Sequence, residues 1–179
     1  MSLDVFFDTE ATLADPEKAR FLCGCAYWKG ELFAFDERQI EQLALLLDFG
    51  TRIFVFNGDY DYTLMRAHGI AEARVESWLS KTVDFFDQVR AAVGVWPSLD
   101  AVALANGVGG KSSSGGEINS MSYEEMVSYC GRDVEIMVEL AELEELKIPI
   151  SVGPRESRKH VGECLLNWRT GAVSGTTYF

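Results

Sequence analysis

What the chain lacks narrows its function first. No apolar run approaches the roughly 20 residues that a membrane-spanning helix needs. The first residues carry neither a basic n-region nor an apolar h-region, so secretion is not expected. There are four cysteines and no C-x-x-C pair. Cys23 and Cys25 form C-x-C inside an apolar, strand-like run, which is not the spacing of a zinc or redox site. With Cys130 and Cys164 they read as reduced core residues, which suits a cytoplasmic location. The two histidines, His68 and His160, have no metal-ligand spacing, so zinc is not expected. Positive charge is also scarce. Sixteen Lys and Arg stand against 28 Asp and Glu, a net charge of -12. Such a surface does not coat itself in nucleic acid through bulk charge. The acidity lies in residues 1–150, because Arg155, Arg158, Lys159 and Arg169 outweigh Glu156 and Glu163 beyond them.

What is present is an ordinary globular composition: 179 residues, 47% hydrophobic, 12% aromatic and 25% charged. The length suits one domain with a sizeable core, and no internal repeat interrupts it. "LDVFFDTEA" reads as a strand apolar on both faces, hence central in a sheet. "RFLCGCAYWKGELFAFD" reads as a hairpin turning at Lys29-Gly30. Ile40, Leu43, Leu46 and Leu47 have helical spacing, with Asp36 as cap and Gly50 as stop. "RIFVF" is a short buried strand, followed by helices over "DYDYTLMRAHG" and "EARVESWLS". "TVDFFDQVRAAVG" leads from an extended piece into a helix, and "PSLDAVALANG" forms another. "VGGKSSSGGE" reads as a mobile loop. A long helix runs from a Ser122/Glu125 capping box through "SYCGRDVEIM". A further helix is expected around 156–168. The order predicts an α/β layered domain with a mixed β-sheet flanked by helices. Residues 1–150 would form it, with 151–179 as an extension of the same domain.

The carboxylates form a pattern of their own. Strand alternation puts Asp8 and Glu10 on one face near the C-terminal end of the first strand, where sites in open α/β sheets gather. Asp59 and Asp61 open a helix after the next core strand, where acidic residues also serve simply as helix caps. Tyr129 and Asp133 are i and i+4 on the long helix, and so share a face. Each pair alone is as readily a solvated strand end, a cap or a core-edge tyrosine. Four carboxylates drawn from three segments could instead converge on two hard cations through oxygen ligands. Without cations, such a cluster would not stay ionised.

In order, these three patterns resemble the motifs of the DEDD 3′–5′ exonucleases of the ribonuclease-H-like superfamily. "FFDTEA" matches Asp-x-Glu, "NGDYDYTLM" matches Asn-x-x-aromatic-Asp, and "YCGRD" matches Tyr-x-x-x-Asp. The sister subgroup has a histidine five residues before the last aspartate. Ser128 stands there, so the tyrosine subgroup (DEDDy) is the better match. The wording is most similar to the proofreading domains of B-family DNA polymerases and to related stand-alone exonucleases. The likeness spans about residues 4–145 and includes "SLDAVALANGVGGKS".

The resemblance implies a ribonuclease-H-like fold and a metal-dependent 3′–5′ exonuclease that releases nucleoside 5′-monophosphates. Asp8, Glu10, Asp61 and Asp133 would bind two Mg²⁺ or Mn²⁺ ions. Tyr129 would orient the attacking water, and Asn57 and Lys111 would contact the strand. The expected partner is the 3′ end of single-stranded nucleic acid, DNA before RNA, with a possible replication or repair protein and no membrane. Arg66, Arg132 and the cluster Arg155/Arg158/Lys159/His160 are further phosphate-contact candidates. Two other readings share the same residues: a ribonuclease-H-like endonuclease, and a non-catalytic nucleic-acid or replication-protein binding module.

Overall fold

The computed structural model describes residues 3–109, 115–152 and 159–178. Its frame is a five-stranded sheet built from β1 (Asp4–Ala11), β2 (Phe21–Trp28), β3 (Glu31–Phe35), β4 (Arg52–Val55) and β5 (Thr82–Asp84), in the order β3-β2-β1-β4-β5. β1 is central. It pairs antiparallel with β2 and parallel with β4, and β4 in turn pairs parallel with β5. The sheet is therefore mixed, as the leading meander predicts. The hairpin turns at Lys29 and Gly30, both at positive φ. Two such residues in succession match the right-handed twist of the strands they join.

Alternation along β1 builds two cores. Val5 and Phe7 face a cluster shared with α1 (Ile40–Phe49), α2 (Gly58–Ala67) and α3 (Glu72–Leu79). Phe6 faces the opposite cluster, shared with α4 (Phe85–Val93), α5 (Leu99–Ala105) and α6 (Tyr123–Glu142). By the same period of two, Asp8 and Glu10 lie on the α6 face and Thr9 lies on the α2 face. Asp36 caps the turn before α1, and the Ser122/Glu125 capping box opens α6.

Gly131 lies inside α6 without ending it. A Cβ there would meet Leu32 Cδ2 at 2.9 Å, so the glycine permits close approach of the helix to the β2–β3 hairpin. Cys23 and Cys25 are fully buried beneath it, as is Cys130 on the helix itself. Small side chains here let α6 lie close to the sheet.

The chain ends in a second, three-stranded antiparallel sheet: β6 (Leu146–Val152), β7 (Lys159–Asn167) and β8 (Ala172–Tyr178). This corrects the helix expected around 156–168. Over residues 162–168 burial alternates with a period of two, taking in Cys164, Leu166 and Trp168, and Cys164 lies opposite Ile148 of β6. Pairing with a neighbouring strand overrides the weaker helical signal. Trp168 joins this sheet to the rest. Its ring packs edge-on against Phe54 and Phe85, and its indole N–H donates to Leu143 O at 2.8 Å. No helix among the described residues is long and apolar enough to cross a membrane.

Candidate metal centre

Asp8 and Glu10 of β1 meet a third carboxylate from α6. Ligand oxygens of Asp8, Glu10 and Asp133 all lie within 4.8 Å of one another. Asp8 and Glu10 are half-buried, and Asp133 is only 4% exposed. Two contacts set the spacing of the elements that carry them. The Cys130 thiol donates to the main-chain oxygen of Asp8 at 3.3 Å, and the Cys25 thiol donates to Val127 O at 3.6 Å. Burial pushes the Cys130 thiol well above its ordinary value, so it stays protonated and remains a donor. Three converging carboxylates in a partly buried site suit a hard divalent cation, which prefers oxygen ligands and offsets their mutual repulsion.

Asp61 reaches the same strand from the other side and is not part of that 4.8 Å group. It is 3% exposed on α2, and its Oδ1 accepts from the Thr9 N–H at 3.0 Å and from the Thr9 hydroxyl. Burial pushes its carboxyl up to about 7; the Thr9 bonds pull the other way and the charge of Asp84 adds to the rise. Thr9 lies between Asp8 and Glu10, so all four aspartate and glutamate candidates gather at one strand end. Tyr60 registers their combined field. Its phenol is pushed up to about 12 by burial, then by the charges of Asp61, Glu10 and Asp8. The same hydroxyl donates to Leu13 O at 2.6 Å and so holds the segment that follows β1. Asp59, two residues before Asp61, is exposed.

The α2 entry depends on Asp84, which lies outside the motifs above. Asn57 has a left-handed backbone, φ +68°, and turns the chain sharply out of β4. Asp84, at the end of β5, accepts from the N–H groups of Asn57 and Gly58 at 3.0 and 2.8 Å and caps α4 by accepting from Phe86 and Asp87. Burial raises its carboxyl above the usual value despite these four bonds. An aspartate directly before "FFDQV" is an ordinary cap signal. Its bond to the Asn57 turn joins residues 27 apart, and no local pattern shows that. We expect Asp84→Ala to lower unfolding free energy by about 2–3 kcal/mol, because it orphans several N–H donors at once. Urea titration in chelator measures this, and a loss below 0.5 kcal/mol would contradict the bracing role.

Tyr129 lies one turn before Asp133 and is 7% exposed. Met126, Val134 and Met137 of the same helix join the apolar core on the α6 side. Asn57 is exposed at the mouth of α2. Lys111, Arg155 and Arg158 lie outside the described residues. Lys159 and His160 are exposed at the start of β7. Arg66 pairs with Glu72, and Arg132 pairs with Glu135 and Glu139 and donates to Gly109 O. Those two arginines are thus committed to contacts within the fold.

No family model matches the sequence, and no curated protein matches it. Among solved structures, the chain is similar to the family B DNA polymerase from the hyperthermophilic archaeon Pyrobaculum calidifontis. The TM-score is 0.62 at 19% identity, over 79% of this chain and 24% of the polymerase chain. The chain thus spans about a quarter of that polymerase's length. At this identity the likeness shows the fold alone: a mixed sheet flanked by helices, consistent with a ribonuclease-H-like layout.

Proposed function

We propose that the protein is a metal-dependent 3′–5′ exonuclease acting on single-stranded nucleic acid, DNA in preference to RNA. The observation that carries this reading is the convergence of Asp8, Glu10 and Asp133 within 4.8 Å at the C-terminal end of the central strand, with Asp61 buried against Thr9 of the same strand. Asp8, Glu10, Asp61 and Asp133 would hold two Mg²⁺ or Mn²⁺ ions. Such a pair, when bound, activates water and stabilises the leaving oxygen of a phosphodiester. The tyrosine-subgroup motif assigns Tyr129 to orienting the attacking water by hydrogen bond. Glu10 contacts the terminal 3′-hydroxyl, and Asn57 and Lys111 contact the strand. The product is a nucleoside 5′-monophosphate.

The test is degradation of matched 3′-labelled DNA and RNA oligonucleotides with and without Mn²⁺. Stepwise loss of 5′-monophosphates from the free 3′ end is expected, with DNA the faster substrate. Cleavage of a circular single strand would instead establish an endonuclease. Binding of the strand without cleavage, in saturating Mn²⁺, would leave only a binding module. Tyr129→Phe removes a single hydroxyl and is expected to lower kcat about tenfold with KM little changed. A raised KM at unchanged kcat would contradict the water-orienting role.

A further inference from the structure

The pairing of β1 with β4 runs Asp4↔Arg52, Val5↔Ile53 and Phe6↔Phe54, and ends there. β4 itself stops at Val55, and the left-handed Asn57 carries the chain away. Further along β1, the N–H of Thr9 is met by the carboxylate of Asp61, where a continuing strand would have offered a carbonyl. Buried main-chain donors must be satisfied, so this contact is part of the sheet as well as of the site. The Thr9 hydroxyl donates to the same oxygen, Oδ1. Thr9 is 5% exposed, so neither donor exchanges readily with water.

From this geometry we infer that Thr9 is a positioning residue for the metal centre: its two donors occupy Asp61 Oδ1 and reserve Oδ2 as the single oxygen that Asp61 offers to a cation. The inference rests on the metal-site reading above. Two donors on Oδ1 hold that oxygen, and with it the rotation of the carboxylate about its terminal bond, within a narrower range than one donor does. Hydrogen bonds to the far oxygen of a ligating carboxylate orient it, and their loss weakens metal binding. The choice of residue follows. Valine has the shape of threonine without its donor, and serine keeps the donor without the methyl.

The test is Mn²⁺ binding, by calorimetry and by electron paramagnetic resonance, to the wild type, Thr9→Val and Thr9→Ser, with thermal unfolding in chelator alongside. Thr9→Val is expected to bind one ion about tenfold more weakly, and Thr9→Ser to bind nearly as the wild type. Thr9→Ala carries the same expectation as Thr9→Val and serves if valine disturbs packing. Unchanged Mn²⁺ affinity in a folded Thr9→Val protein overturns the inference, whatever happens to its melting temperature. A wild type that binds no Mn²⁺ overturns both this inference and the metal-site reading. Mn²⁺ binding that depends on the Thr9 hydroxyl, in a protein that cleaves no strand, upholds the inference and overturns only the exonuclease.

Discussion

Asp133→Asn is expected to abolish strand cleavage while making the metal-free protein more stable. Asp133 is almost fully buried, and its oxygens lie within 4.8 Å of those of Asp8 and Glu10. Without a cation, three carboxylates this close repel one another, and an amide in place of one removes a charge at nearly constant volume. Melting temperature in chelator should therefore rise by about 2–4 °C, the equivalent of about 1 kcal/mol for a chain of this size. With Mn²⁺ present the order should reverse, because only the wild type gains the binding free energy of the ion. Activity should fall on the order of a thousandfold, since a displaced cation removes several kcal/mol of transition-state stabilisation. A variant that melts lower than the wild type in chelator and still binds Mn²⁺ would make Asp133 a structural residue. Opposite effects on stability and function are what a site built for a ligand should show.

Asp61→Asn and Asp59→Asn should differ sharply, although the two residues are separated by a single position. Asp59 is exposed and Asp61 is buried against Thr9. Asp59→Asn should leave activity within about twofold of the wild type, whereas Asp61→Asn should lower it by about a hundredfold. The stability of the metal-free protein supplies an independent reading. Burial raises the Asp61 carboxyl from its ordinary 3.8 to about 7, so the folded state holds this proton more tightly than the unfolded chain. The associated stability is full below the unfolded value, near 4, and is lost as pH rises through about 7. In chelator, wild-type melting temperature should therefore fall across this window. Asp84, also raised by burial, adds to the same slope. Asp61→Asn carries no charge to desolvate and should flatten part of it, so the variant becomes the more stable protein near pH 8. Saturating Mn²⁺ should abolish the wild-type loss, because a cation favours the ionised carboxylate. If Asp59→Asn is the inactive variant, Asp61 is not the ligand; if the Asp61→Asn slope equals that of the wild type, the Asp61 carboxyl is not raised by burial.

Much of the fold was legible because its signals are local. Apolar residues on both faces of "DVFF" mark a central strand, and β1 is central. The Lys29-Gly30 turn and the Ser122/Glu125 box depend on residues within a few positions of one another and form as read, whereas Asp36 caps the 3-10 turn before α1 and not α1 itself. The segment beyond 156 failed for the complementary reason. Its hydrophobic residues suit either period, and a neighbouring strand, β6, decided between them. Gly131, inside α6, costs its helix a little by intrinsic propensity. Its use is visible only once Leu32 lies against it.

The site divides in the same way. Sequence by itself determined that Asp8 and Glu10 share a face of β1, because strand geometry alternates, and that Tyr129 and Asp133 lie a turn apart, because helix geometry repeats at 3.6 residues. It determined the residue types, carboxylates whose oxygens suit hard cations. Tertiary structure alone decided which carboxylates meet. Asp133 comes to Asp8 across 125 residues of chain because small side chains let α6 lie close to the sheet and a thiol ties it to β1. Asp61 comes to the same strand end because β4 stops early and leaves the Thr9 N–H in need of an acceptor. Periodicity acts along the chain and can be read from one segment, whereas convergence depends on packing between segments and exists only in the folded molecule.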